Sequence, residues 1–311
     1  IDSVTVPLAM IGVLLIARSP VVATVVLTVA TWIKVWPAAL IAAAVIALRG
    51  RLRIVATALL SSALIMIVAL TLGSGANVLS FVTQQTGRGL QIEAPVSTFW
   101  LWQAAAGVPG AFVYYDQQIL TFQINGDGVD VASALMTPLL GLAILVIALL
   151  GVRTTRSGVA AGDLLPSLSL ALVTALIAFN KVGSPQFVSW LAVPVVLGLA
   201  TRAAGHGRSF RTPAIMVLVI AGLTQFIYPY LYTALLQVQV PMLIVLTGRN
   251  AMLFVLLGWA IWSIATAPRL PLLDVDADGT HDDWLDSVWP LDRDLPGEEH
   301  SSVVMPAALK E

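Results

Sequence analysis

The chain has no cysteine and little charge: Asp, Glu, Lys and Arg together make up 11% of its 311 residues, against roughly a quarter in a soluble domain. The first lack excludes disulfides, thiol catalysis and cysteine-held metals. The second excludes an ordinary solvated surface, and no nucleic-acid partner is expected. Only three histidines occur, His206, His281 and His300, all in polar stretches. No His-based site can therefore be built within an apolar run, and no metal or other cofactor is expected. Missing too is the ten-residue apolar–polar alternation of a transmembrane barrel. What is present is hydrophobic residue, 58% of the chain, in runs that approach or exceed the ~20 residues a helix needs to cross hydrocarbon. The expected fold class is all-α, a polytopic integral membrane protein.

The net charge of −1 conceals a division. Residues 1–266 carry thirteen Lys/Arg against six Asp/Glu, whereas 267–311 carry three against eleven. This predicts a membrane domain over 1–266 and a disordered acidic cytoplasmic tail over 267–311. The stretch Asp274-Val275-Asp276-Ala277-Asp278-Gly279 begins like a calcium loop, but its twelfth position is Leu285 in place of glutamate, and Pro268 and Pro271 leave no entering helix. Because the chain opens on Ile1 with a short apolar run, Val4–Ala17, earlier spans are expected upstream.

The next run, Val21–Leu48, is too long for one ordinary span and contains Lys34 and Pro37. A lysine at mid-bilayer costs about 2.5–3.5 kcal/mol unless it faces protein or water, and a proline ring clashes with the carbonyl four residues before it. Two half-length helices meeting at a buried break are expected. Arg18 precedes the pair and Arg49, Arg51 and Arg53 follow it, so the positive-inside bias makes it a re-entrant hairpin with both ends cytoplasmic. Signs then alternate: Ile54–Leu72 outward, an external segment Gly73–Asp130, Val131–Leu150 inward, Leu164–Phe179 outward, Val188–Ala200 inward, Thr212–Leu235 outward and Val238–Thr266 inward. Nine arginines fall inside; the exceptions are Lys34 and Arg249 in apolar runs and Arg88 and Lys181 outside.

These exceptions mark the candidate sites. Asn180-Lys181-Val182-Gly183-Ser184-Pro185-Gln186-Phe187 is a polar island between two apolar segments, where polar groups are costly unless they meet water, one another or a charged ligand. The external segment contains Gly87-Arg88-Gly89-Leu90-Gln91-Ile92-Glu93, whose glycines allow a guanidinium to approach an anion, then Phe99-Trp100-Leu101-Trp102 and Tyr114-Tyr115, suited to headgroup level or to stacking on sugar rings. An interfacial helix with Arg88 paired to Glu93 is the bland alternative. Lys34 has its own alternative, bonding to carbonyls freed by Pro37, and Arg249-Asn250 is either a phosphate contact or a helix-packing bond. Tyr228-Pro229-Tyr230-Leu231-Tyr232 reads as an aromatic anchor and Asp163 as a helix cap.

Together the island, the Lys34–Pro37 pair, the Gly87–Glu93 stretch and Tyr228-Pro229 resemble the bacterial polyprenyl-phosphate-mannose-dependent α-mannosyltransferases of the GT-C class, glycosyltransferase family 87. The resemblance covers residues 1 to about 266. It implies an inverting mannosyltransferase in the bacterial plasma membrane, with a polyprenyl-phosphate sugar donor, a lipid or glycan acceptor and an external active face. The catalytic base, an aspartate of the first external loop, would lie upstream of Ile1. Arg88, Lys181, Lys34 and Arg249 would bind the donor phosphate, and Gln91, Glu93, Asn180, Gln186 and Trp100 the substrates. The competing class is a polytopic transporter or lipid flippase, whose pathways are also lined by broken helices; a non-catalytic scaffold would leave Arg88 and Lys181 without a purpose.

Overall fold

A computed structural model describes residues 1–79 and 89–269. Arg88, the calcium-like stretch and nearly all of the acidic tail lie outside the described residues.

Helix α1 (Asp2–Leu15) turns back at Arg18 into α2 (Pro20–Ile33). Pro20 starts α2 because its missing N–H is one that a first turn leaves unused anyway. Gly12 lets the pair approach closely, since a Cβ there would press on the Leu27 side chain. At Lys34 the backbone becomes extended (φ −158°, ψ 132°), and Pro37 immediately precedes α3 (Ala38–Ala47). Fourteen and ten residues of helix are about 21 and 15 Å long, each short of the ~30 Å hydrocarbon core. The break expected between two half-length helices is therefore present, at the expected residues.

Next come α4 (Arg51–Thr71), then a segment with two short 3₁₀ turns, Gly75–Leu79 and Pro95–Ser97, and α5 (Thr98–Ala105). The all-α expectation fails locally here. Phe112–Asp116 (β1) and Thr121–Asn125 (β2) pair antiparallel, with Tyr114 opposite Gln123. Four long elements follow, α6 (Val129–Arg156), α7 (Ala161–Ala178), α8 (Ala192–Ala203, entered through a 3₁₀ turn over Pro185–Leu191) and α9 (Arg211–Ile227). The chain closes with the short α10 (Tyr232–Leu236) and α11 (Val240–Ala265). Thr212–Leu235 is thus not one span, because the helix ends at Ile227, ahead of Pro229.

Five helical stretches, 51–71, 129–156, 161–178, 185–203 and 240–265, are long and apolar enough to cross a membrane, and the protein is a mostly helical, multi-pass membrane protein. Helix α7 is the hub. Sixteen of its eighteen residues are buried, against α3, α6, α8 and α11. A hydroxyl pair, Ser167 and Ser263 at 2.8 Å, links it to α11 within the apolar interior; bonds of this kind contribute on average ~0.6 kcal/mol in membrane bundles. Helix α4 is the opposite case, burying only Ile54 fully and exposing Leu52, Leu59, Leu60, Leu64 and Ile67, a surface that suits lipid and not water.

Contacts fix which helix ends lie together. Thr155 Oγ1 donates to the Ile46 carbonyl, Arg208 Nη2 to the Thr266 carbonyl, and Val159 bridges Arg269. At the other end Asp2, Lys34 and Trp190 meet. There the non-spanning segment builds a second apolar core, Leu90, Ile92, Trp100, Leu101 and Ile124 packing with Ile227, Leu235 and Leu243.

Candidate functional site

Helix α7 ends at Ala178, and Gly183 and Pro185 keep the chain beyond it from resuming the helix. The island that follows folds on itself, Asn180 Oδ1 accepting the Val182 N–H at 3.0 Å. It is clamped to the loop around residue 91 by two bonds: Gln91 N–H donates to the Lys181 carbonyl, and Gly183 N–H donates to Gln91 Oε1, each at 3.1 Å. Gly183 is required for the approach, since a Cβ there would overlap backbone atoms of Glu93 and Ala94.

On its other side the island walls a cavity of about 640 Å³, within the range of small-molecule sites. The helix break at Lys34–Trp36, the island residues Asn180, Lys181, Ser184 and Gln186, and the rings of Phe187 and Trp190 form its polar and aromatic part. Ile33, Met136, Leu140, Leu176, Phe179 and Val182 form most of the rest, joined by Trp32 and by Thr31 and Thr137. Four of the expected site residues, Lys34, Asn180, Lys181 and Gln186, thus converge on one space, one polar zone beside a larger apolar one.

Lys34 does not cap the carbonyls freed by Pro37. Its Nζ lies 2.6 Å from Asp2 Oδ2, an ion pair, and 4.8 and 5.0 Å from the ring centres of Phe187 and Trp190. The other carboxylate oxygen of Asp2 accepts Trp190 Nε1–H at 2.7 Å. Trp190 in turn stacks between Phe187 and Trp36, whose Nε1–H donates to Thr5. The carboxylate and the rings together fix the ammonium at the cavity wall.

Behind the island lies a second polar cluster, outside the cavity. Glu93 Oε1 accepts both the Tyr228 and the Tyr232 hydroxyl, each at 2.8 Å, so the two tyrosines do more than anchor the chain. Arg249, 2% exposed, donates from Nη1 to the Glu93 carbonyl and to Asn250 Oδ1, and Asn250 donates to Thr98. This is the packing alternative for Arg249-Asn250. Burial raises the Glu93 carboxyl above its ordinary 4.5, with the bonds from Tyr232 and Tyr228 acting the other way. The Glu93 carboxylate is thus committed to tyrosines, and its expected partner Arg88 lies outside the described residues.

Trp100 is not at the cavity: it is buried under Gly126, with its indole N–H on the Asp127 carbonyl. Gln91 and Glu93 likewise stand behind the island, positioning it. Asp2 is the residue that sequence reasoning missed. An acid in the first turn of an apolar helix, one helix before a lysine in another apolar run, was the available signal, since charges at membrane depth are expected to pair. Comparison with protein-family models, with curated proteins and with solved structures finds no match to this chain.

Proposed function

We propose that the protein is a membrane glycosyltransferase of the GT-C class, moving a sugar, mannose by the resemblance, from a polyprenyl-phosphate donor to a lipid or glycan acceptor at the external face of the bacterial plasma membrane. The carrying observation is the cavity, whose lysines and amides adjoin a wall of Ile33, Met136, Leu140, Leu176 and Phe179. That division of chemistry fits a ligand with an anionic head and a hydrocarbon chain. In this reading α2 and α3 form a re-entrant pair that presents Lys34 at the outer end. Departure of the donor lipid leaves charge on its phosphate, and fixed cations aimed at that charge accelerate transfer without any metal.

The broken helix lining the cavity also favours a lipid flippase. Membranes holding the full-length protein, incubated with polyprenyl-phosphate [³H]mannose, separate the readings. Passage of label into a new glycolipid or glycan, abolished in Lys181→Ala, is the expected result. Movement of intact labelled donor between leaflets without transfer would replace the transferase with the flippase.

A further inference from the structure

Lys34 lines the cavity with its counter-charge beside it. Its ammonium is bound to a carboxylate 7% exposed, and that carboxylate is itself held by a buried indole N–H. An anion entering the cavity therefore meets Lys34 with Asp2 already on it. We propose that Asp2 is the resident counter-anion of the cavity: it holds Lys34 at the wall and competes with an incoming phosphate headgroup for it, so that the headgroup binds and leaves again instead of being retained.

The inference rests on the lipid-phosphate reading above. Opposite and like charges at similar short distances interact with similar strength, so a carboxylate beside the ammonium repels a phosphate by an amount comparable to what Lys34 contributes. Holding Lys34 does not depend on Asp2 alone, because Phe187 and Trp190 face the same ammonium. Removing the carboxylate charge thus strengthens the site more than it disorders it. For catalysis this matters because binding a ground-state headgroup tightly does not raise turnover, whereas a site that gains its advantage as charge develops does.

The test is equilibrium binding of farnesyl phosphate and of inorganic phosphate to the purified protein in detergent, followed by tryptophan emission. Parent protein should bind farnesyl phosphate more tightly than inorganic phosphate, because only the former fills the apolar wall; if it binds neither, the lipid-phosphate reading falls and this inference with it. Asp2→Asn, whose amide oxygen still accepts the Trp190 N–H, should bind farnesyl phosphate about ten-fold or more tightly than parent at low salt, with the gain shrinking as salt is added. Lys34→Gln should bind it at least ten-fold more weakly. The double variant, which leaves no unpaired charge to unfold the protein, should return close to parent. If parent binds farnesyl phosphate but Asp2→Asn does so equally or less well with an unchanged unfolding midpoint, or the double variant stays as weak as Lys34→Gln, Asp2 is a structural partner only and the lipid-phosphate reading stands without it.

Discussion

The backbone N–H of Gln91 donates to the backbone carbonyl of Lys181 at 3.1 Å, and through this bond a segment ninety residues away in sequence fixes one wall of the cavity. The same Gln91 returns a side-chain oxygen to Gly183 N–H. Loop and island therefore move as one piece, and the lysine's position depends on residues that never line the cavity.

Gly183→Ala tests that coupling. The added methyl would meet the backbone of Glu93 and Ala94, which cannot rotate aside as a side chain can. Overpacking of this kind costs about 1–3 kcal/mol, and here it would also part Lys181 from Gln91. The unfolding midpoint in detergent should drop, and donor affinity should fall with it. A variant with parental midpoint and affinity would mean that the loop and island are not rigidly joined.

The Glu93 cluster predicts a pH dependence. Because burial raises the folded-state carboxyl above 4.5, the folded protein holds this proton more tightly than the unfolded chain. The contribution of Glu93 to stability is thus fully present below pH 4.5 and is lost as pH rises through the higher folded value. Glu93→Gln keeps an acceptor for Tyr228 and Tyr232 without a charge, and should flatten this part of the stability profile. Glu93→Ala leaves two part-buried hydroxyls unpaired and should cost about 1–3 kcal/mol for each. Thermal unfolding of the three proteins between pH 4 and pH 8 reads the difference, and parallel profiles for parent and Glu93→Gln would remove the carboxyl as its source.

Much of the spanning architecture was legible, because Pro37 and the Gly183–Pro185 pair are local stops whose effect needs no tertiary context. Runs of apolar residues flanked by arginines behaved the same way. The hairpin was not legible: its connection, Gln117–Leu120, has none of the Asn-Gly or Asp-Gly chemistry that announces a tight turn, and its strands are only five residues long. Asp2 and the tyrosine pair were hidden for another reason. Asp2 meets Lys34 and Trp190 across 32 and 188 residues, and Tyr228 meets Glu93 across 135, separations at which spacing along the chain carries no information.

The absence of cysteine makes sidedness directly measurable. Ser184 lies in the island and Ser209 in the arginine-bearing turn between α8 and α9, at opposite ends of the bundle. Single cysteines at the two positions should react oppositely with an impermeant maleimide in intact cells, Ser184→Cys being labelled and Ser209→Cys only after lysis. The reverse pattern would invert the orientation and place the cavity on the cytoplasmic side.

Lys181 carries the sharpest prediction for catalysis. It is 9% exposed, lines the cavity, and accepts the Gln91 N–H at its backbone carbonyl, a bond that a change of side chain leaves in place. Lys181→Met preserves most of the stem and removes the charge. If the ammonium stabilises the phosphate as it leaves, the loss should resemble that of one oxyanion donor, ~2.7–4 kcal/mol or a factor on the order of a hundred to a thousand in turnover. Binding of donor should weaken less than turnover does, since the charge it meets grows during transfer. Lys181→Arg should recover part of the rate, because guanidinium keeps the charge but not the geometry of a compact ammonium. Near-full turnover by Lys181→Met at saturating donor would move the phosphate site away from the island, leaving Lys34 as the cavity cation to test next.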